Sequence, residues 1–286
     1  MQTFTTPAPI TAAVDIVLGD IRFTAADRDT TVVEVAPIDP GRALDVEAAA
    51  KVNVEFEAGR LRVWQPKLRT AFSRKFGSVR VTVQLPTGSN VQGDTADGEY
   101  VVQGSVGACR LKNAIGDIKV AQAAEVRLAT SAGRIAVDQV HGRADISGSG
   151  DIRAARIGGE ATVKNIGGNT WIGEAAGNLR VSSSQGPITV DLAHAEVWAK
   201  TAIGEIRIGE AVAGPVDLHS AVGRLEVGVP EGTGVRLDAK TPTGLVRDES
   251  PHAGTVRQIA VKARTSGGDI TVRSVASETG HSQRAA

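Results

Sequence analysis

The sequence predicts an all-β fold: a right-handed parallel β-helix of about ten turns with two strands per turn, preceded by an irregular N-terminal β cap. Three observations favour this solenoid. A unit of about 18 residues recurs between Thr95 and Val272, apolar residues alternate with polar ones around each repeated glycine, and the chain has 33 glycines but only 3% aromatic residues. A narrow aliphatic core with glycine at its corners is typical of a solenoid rather than of a compact globular domain.

Each repeat is marked by a glycine and by a small hydrogen-bonding residue three positions before it. Such side chains satisfy backbone groups at a tight corner, where glycine accepts a positive φ. The steps between the glycines are 17 to 19 residues up to Gly223 and then lengthen to 21 and 24. The ten pairs are Thr95/Gly98, Asn113/Gly116, Thr130/Gly133, Ser147/Gly150, Asn165/Gly168, Ser183/Gly186, Thr201/Gly204, Ser220/Gly223, Thr241/Gly244 and Thr265/Gly268.

Two strands per turn follow from the apolar columns. The positions two and four residues after the glycine are each apolar in nine of the ten turns, which predicts a strand with one buried face. A second inward pair lies seven and five residues before the glycine, as in Cys109/Leu111. In the turn that ends at Gly150 this pair is Ala144/Ile146, one position late, which indicates a corner shortened by one residue.

The outward columns and the spacing of the inward clusters bear on how the turns are wound. Asp117, Arg134 and Asp151 follow successive glycines, so stacking in register would place opposite charges one strand apart. A left-handed hexapeptide helix also has turns of about 18 residues, but it needs an apolar residue every six positions. The inward clusters here alternate at longer steps, and parallel crossovers are usually right-handed, so we expect a right-handed coil.

The ends of the chain depart from the repeat. Residues 1–90 predict a β cap continuous with the solenoid, residues 91–275 the β-helix repeats, and residues 276–286 a disordered tail. Within the cap, Arg42–Ala50 predicts a short helix. The predicted cap strands are Val14–Phe23, Thr31–Val35, Val52–Phe56, Leu61–Trp64 and Val79–Leu85.

Composition limits the class of partner. Lys plus Arg equals Asp plus Glu, at 32 each, so no global field would attract nucleic acid and none is expected as a partner. The single cysteine, Cys109, excludes an intramolecular disulfide. The first residues carry neither a basic nor an apolar leader segment, and no apolar stretch is long enough to span a membrane, so the expected location is the cytoplasm.

Two features are candidates for a binding surface. The stretch from Ala58 to Arg80 contains seven basic residues and no acidic one, and the loop at residues 67–76 within it would suit an anionic partner. A solvated loop is the simpler interpretation. Two tryptophans fall on outward strand positions, where they could stack on a sugar or be scattered surface aromatics. The candidate surface residues are Lys67, Arg69, Arg74, Lys75, Trp171 and Trp198.

No motif predicts catalysis, a metal site or a cofactor. The five histidines fall in different turns, and the sequence has no Cys-x-x-Cys or His-Glu-x-x-His. Gly148–Asp151 and Gly267–Asp269 are faintly similar to calcium-binding rolls, but these need an aspartate in nearly every nine-residue repeat. Glycoside-cleaving β-helices cluster carboxylates on one face, whereas here Arg134 separates Asp117 from Asp151.

Several segments resemble the bacterial putative-adhesin family, a widespread β-helix family of unassigned function. The resemblance spans roughly residues 55–275 and implies a β-helix with a role in adhesion or assembly. It is carried by Leu61–Lys67, Val83–Ser89, Cys109–Asn113, Gly116–Ile118, Asn169–Glu174 and Ala199–Thr201.

The favoured functional prediction is a non-catalytic, adhesin-like β-helix scaffold that binds an unknown protein partner or self-associates. One alternative is a carbohydrate-binding or carbohydrate-active β-helix, since the tryptophans face outward. Another is binding of an anionic partner through the basic loop 67–76.

Overall fold

The computed structural model describes residues 1–66, 77–250 and 257–276, with only the backbone described at Arg257. The chain forms two compact units, Met1–Ile152 and Arg153–Ala286. The described residues contain 25 strands and one helix, which confirms the prediction of an all-β fold.

The first unit contains twelve strands and the helix. The helix α1 spans Ala43–Ala50. The strands are β1 (Gln2–Thr5), β2 (Thr11–Asp15), β3 (Gly19–Ala26), β4 (Thr30–Pro37), β5 (Asn53–Glu57), β6 (Arg60–Trp64), β7 (Val79–Pro86), β8 (Asn90–Asp97), β9 (Tyr100–Ile115), β10 (Ile118–Ala132), β11 (Ile135–Val140) and β12 (Ala144–Gly148).

Parallel strands in the first unit stack in register, as the repeat predicts. Ile118 of β10 lies beside Tyr100 of β9 on one side and beside Ile135 of β11 on the other, at steps of 18 and 17 residues. The shortened corner before Gly150 is also confirmed, because Ala144 and Ile146 of β12 pair with Val126 and Leu128 of β10. The sequence predicts two separate strands, joined by a corner, in the stretches that β9 and β10 occupy. In the structure each stretch is instead one long continuous strand, of 16 residues in β9 and 15 in β10.

Parallel coils begin earlier than the glycine repeat indicates. The strands β2 and β3 pair in parallel with β8 and β9 on one side and with β6 and β7 on the other. The predicted single strand Val14–Phe23 is therefore wrong, because it turns a corner at Gly19. That glycine lies beside Val79, where a Cβ would overlap the backbone oxygen of Val79.

The remainder of the N-terminal region is antiparallel and covers the outermost of these coils. β4 pairs antiparallel with both β7 and β1, and β5 pairs antiparallel with β6. The helix α1, close to its predicted span, packs on β4 and β7. Its buried Asp45 accepts hydrogen bonds from the backbone N–H groups of Ser78 (3.0 Å) and Asp39 (3.2 Å), which fixes the helix to the coil.

The second unit contains thirteen strands, of which the first begins at Ile152. They are β13 (Ile152–Ile157), β14 (Ala161–Asn165), β15 (Thr170–Ala175), β16 (Leu179–Ser183), β17 (Ile188–Ala193), β18 (Val197–Ile203), β19 (Ile206–Ala211), β20 (Val216–Val222), β21 (Leu225–Pro230), β22 (Thr233–Lys240), β23 (Val246–Glu249), β24 (Arg257–Gly267) and β25 (Ile270–Val275).

Two parallel ladders make up the wall of the second unit. One contains β14, β16, β18 and β20, and the other contains β15, β17, β19 and β21. Since each strand pairs with the strand two places along the chain, every turn contributes one strand to each ladder. This confirms two strands per turn, while the hand of the coil stays a prediction.

The final turns do not stack in chain order. The strands β24 and β25 lie between β20/β21 on one side and β22/β23 on the other. Gly268 therefore lies against Gly223, and Gly244 lies against Gly268. This explains why the spacing between glycines lengthens to 21 and 24. After β21 the chain forms β22 and β23 one coil further away, and it then comes back to place β24 and β25 in the space between.

The core consists of the inward columns that the sequence identified, and the polar column lies at the corners. The side chains at Ile118, Val137 and Ile188 are at most 1% exposed. Asn113 donates to the backbone oxygen of Gly98 on the neighbouring coil (2.9 Å). The same bond to a neighbouring glycine is made by Thr130, Thr201, Ser220, Thr241 and Thr265.

Candidate functional site

Trp171 lies flat against the wall of β15 and is held from two sides. The guanidinium carbon of Arg153 lies 3.9 Å from the ring centroid, and the indole Nε1 donates to Asp191 (3.0 Å). The ring rests on Gly173, where a Cβ would come within 2.9 Å of it. One face of the indole is therefore covered by a cation, and its N–H is already used by Asp191.

Trp198 lies on the other ladder, as the second residue of β18. Arg180 of the preceding coil stacks on its ring at 4.6 Å from the centroid. Asp217 is its register partner on the following coil, and Lys200 lies two residues further along the same face of β18. Trp198 therefore borders a charged surface.

The structure does not bring the sequence-predicted candidates together. Trp171 and Trp198 lie on different ladders, so they cannot form one stacking platform. The candidates Lys67, Arg69, Arg74 and Lys75 lie outside the described residues. Of the rest of that basic stretch, Arg62 stacks on Trp64 (4.6 Å) and Arg80 pairs with Asp20 (3.9 Å).

A basic ladder that the sequence analysis missed runs along the wall beside Trp198. Lys200, His219, Arg264 and Lys240 occupy directly opposed outward positions on β18, β20, β24 and β22. Neighbouring strands in a sheet lie about 4.8 Å apart, so the ladder covers roughly 15 Å. We call these four residues the basic ladder.

Only part of the basic ladder is neutralised by carboxylates. Arg264 is fixed by a bidentate contact with Asp238, through the carboxylate and the backbone oxygen. The His219 Nε2 lies 2.7 Å from Asp217, which also pairs with Lys262 (3.3 Å). In residues 1–66, 77–250 and 258–276 no carboxylate pairs with the side chain of Lys200 or Lys240.

A groove runs beside the basic ladder because the neighbouring positions carry small side chains. Its floor is formed by the buried corner residues Thr201, Ser220 and Thr265. Its far side is formed by the exposed residues that follow them on each coil. These are Ala202, Ala221, Ser266 and Pro242. We call this concave surface, together with the ladder, the basic groove.

A signal for the basic ladder is present in the sequence. Each of its members lies four residues before a repeat glycine, and so do Lys112 and Lys164. The histidines alone do not reveal it, because only lysine, arginine and histidine taken together recur at this offset. The position of Arg264 between His219 and Lys240 could not be read from the sequence, because it depends on the inserted coil.

The most strongly shifted titratable groups belong to the core of the first unit and are not residues of the basic groove. Burial raises the pKa of the Cys109 thiol to about 12. Burial, and then the charges of Asp94 and Asp15, raise the pKa of Tyr100 above its ordinary value. Neither side chain is exposed, so neither can meet a ligand.

Metal clusters and membrane-spanning helices are both absent from the described ranges. Across residues 1–66, 77–250 and 257–276, no three histidine, cysteine or acidic side chains are grouped closely enough to hold a metal ion. In those same ranges no helix has the length and apolar character needed to cross a membrane.

Comparison with known proteins gives distant structural likenesses. A putative adhesin from Parabacteroides distasonis is 16% identical, with 96% of this chain and 95% of that chain covered and a TM-score of 0.35. A putative adhesin from Parabacteroides merdae is 13% identical, covers 95% and 94%, and has a TM-score of 0.36. A structure described as a putative lipid binding protein from Parabacteroides distasonis is 11% identical, covers 95% and 96%, and has a TM-score of 0.35.

Structural neighbours over nearly the whole chain are thus bacterial putative adhesins. No family model matches the sequence, and no curated protein matches it. At this distance the neighbours carry no information on what this chain binds.

Proposed function

We propose that this protein is a non-catalytic, adhesin-like scaffold that binds a partner through the outward walls of its coils. The observation that carries the proposal is the placement of its titratable groups. Catalytic acids and bases need shifted pKa values in an accessible, clustered site. Here the most strongly raised pKa values belong to Tyr100 and Cys109, which are sealed in the core.

The carboxylates with lowered pKa values are exposed and scattered over separate elements. Lys51 lowers the pKa of Glu47 on the helix, Arg264 lowers that of Asp238, and the backbone N–H of Leu245 lowers that of Asp269. Each shift is explained by a local contact within one turn or between neighbouring coils. These groups are arranged to stabilise ion pairs rather than to transfer protons.

The terminal coil of the second unit disfavours self-association by stacking of coil ends. β22 and β23 pair on one side only within the described residues. On β23 the inward column carries Asp248, whose Oδ1 accepts hydrogen bonds from the backbone N–H (3.1 Å) and the hydroxyl (2.5 Å) of Ser250. A second copy stacked on this coil would have to desolvate that carboxylate, at a cost of several kcal/mol.

Three measurements on the full chain test the proposal. Light scattering over a wide concentration range should give a single chain at every concentration. A screen of polysaccharide lyase and hydrolase substrates should give no turnover, and a glycan and protein array should give saturable binding. Turnover of any substrate, or the absence of any ligand from the arrays, would contradict the proposal.

A further inference from the structure

We propose that the basic groove binds a linear acidic polysaccharide, with the basic ladder contacting its anionic groups and a sugar ring contacting the part of the Trp198 indole that Arg180 does not cover. This inference rests on the proposed function and names the ligand class. The juxtaposition that motivates it is the basic ladder, the concave strip of small residues beside it and the indole at its border.

The basic ladder places two permanent positive charges, Arg264 and Lys240, directly opposite each other on neighbouring strands. Like charges directly opposite each other on neighbouring strands are destabilising. Other outward charges on the wall of the second unit are paired, as in Arg156 with Glu174 (2.8 Å) and Arg273 with Glu226 (2.8 Å). Stacking of the coils therefore does not favour a row of four basic side chains, and a role in binding explains the row.

The ladder is also pre-organised. Arg264 is fixed by Asp238, and His219 lies against Asp217, so the middle of the ladder cannot collapse onto the groove. Lys200 and Lys240 flank this middle and keep their ammonium groups exposed. Two flexible cations around a fixed guanidinium suit a ligand that carries an anionic group at regular intervals.

The shape of the groove favours a polysaccharide over other anions. Its small side chains offer no deep pocket for the aromatic and arginine anchors that dominate protein interfaces. Single-stranded nucleic acid needs several stacking aromatics, and the groove has one indole at its border. The chain as a whole carries no net charge, so it lacks the extended field that attracts nucleic acid.

The test measures binding of the full chain to four immobilised polymers at low ionic strength. These are polygalacturonate, which carries carboxylates, dextran sulfate, neutral dextran and poly-dT. We expect binding to one or both acidic polysaccharides, with affinity lost as salt shortens the Debye length from about 10 Å at 0.1 M to about 3 Å at 1 M. We expect no binding to dextran and at most weak binding to poly-dT.

Variants locate the site. Lys200→Gln with Lys240→Gln should weaken binding to the acidic polysaccharide at least about tenfold, because two charge-assisted contacts are removed. The thermal midpoint should be unchanged or raised, since like charges are relieved. Trp198→Ala should weaken binding about threefold or more. The matched control is Lys112→Gln, an exposed lysine at the same offset from its glycine in the first unit, which should bind as the wild type does.

The inference is overturned if neither acidic polysaccharide binds, if the double variant binds as tightly as wild type, or if Lys112→Gln loses as much affinity. Equal binding to poly-dT with the same sensitivity to the variants would reject a sugar ligand. Release of reducing ends from a bound polysaccharide would refute the non-catalytic function and leave the groove assignment standing. Binding of an array ligand with the same affinity by wild type and all variants would refute the groove assignment and leave the non-catalytic function standing.

Discussion

At the scale of single residues, the largest core side chain is matched by a glycine on the other strand of its own coil. Tyr100 is fully buried, and its ring occupies the place that a side chain at Gly93 would take, since a Cβ there would lie 2.4 Å from the ring. Its hydroxyl has no hydrogen-bond partner among the described residues. A buried hydroxyl without a partner costs about 1–3 kcal/mol.

Tyr100→Phe should therefore stabilise the protein by about 1 kcal/mol, because it removes the unsatisfied hydroxyl and keeps the ring. Urea unfolding at neutral pH measures this change. Gly93→Ala is the control for the packing argument and should be strongly destabilising, because the new methyl group meets the ring. A destabilised Tyr100→Phe protein would show that the hydroxyl has a partner.

The buried thiol of Cys109 makes stability depend on alkaline pH. Burial raises its pKa from 9.0 to about 12, so the unfolded chain ionises this thiol before the folded chain does. The stability that this group contributes is therefore complete below about pH 9 and is lost as the pH rises towards 12. We expect the free energy of unfolding to fall from pH 8 to pH 10.5, and to fall less steeply in Cys109→Ala. Equal slopes in the two proteins would contradict this assignment.

At the scale of the structural elements, the corner decides how closely coils can stack. Gly116 has a φ of 122°, and a Cβ at this position would lie 2.2 Å from the backbone oxygen of Gly98. Both the backbone conformation and the contact therefore exclude a side chain. The same close approach of glycine to glycine recurs along the corner column, for example at Gly186.

Gly116→Ala should lower the free energy of unfolding by more than about 2 kcal/mol, because the coils must move apart at the corner. Gly267→Ala is a matched control. It lies next to another corner glycine, but its Cβ would meet nothing closer than 3.7 Å and should cost well under 1 kcal/mol. Chemical denaturation of both variants compares them. Equal losses would mean that the corner tolerates a side chain.

The elements that could be predicted from the sequence are those governed by local pattern. The alternation of apolar and polar residues in the sequence identified both strands of each turn. The small polar residue three positions before each repeat glycine predicted the corner hydrogen bonds that Asn113 and Thr130 make. The corner at Gly19 was missed because residue 16 is isoleucine, so the polar marker three positions before the glycine is absent. For the proposed basic groove, the sequence indicated Trp198 as a candidate but not the residues around it, since most of them come from coils that are distant along the chain.

At the scale of the whole molecule, both units contain a coil placed out of chain order. In the first unit the coil of β2 and β3 lies between two coils that come later in the sequence. In the second unit the coil of β24 and β25 lies between two that come earlier. Strands close to the chain termini are thereby paired on both sides. Terminal strands usually fray, and double-sided pairing protects them from doing so.

The cellular location bears on the proposed ligand. A cytoplasmic location stays a prediction, as do the boundaries of the cap, the repeats and the tail at residues 90 and 275. Binding through the loop 67–76 also stays a prediction. An acidic polysaccharide of a cell surface lies outside the cytoplasm. Fractionation of cells that produce the full-length protein would show whether the protein reaches such a ligand.

The most direct test concerns the stacking order that creates the basic groove. His219 and Arg264 are register partners on neighbouring strands, about 4.8 Å apart, whereas His219 and Lys240 are two strands apart, about 10 Å. A disulfide needs Cα atoms within about 7 Å. Under mild oxidation, His219→Cys with Arg264→Cys should therefore cross-link, while His219→Cys with Lys240→Cys should not, and the buried Cys109 should not compete. A cross-link between positions 219 and 240, without one between 219 and 264, would show that the coils stack in chain order and that the basic groove does not exist.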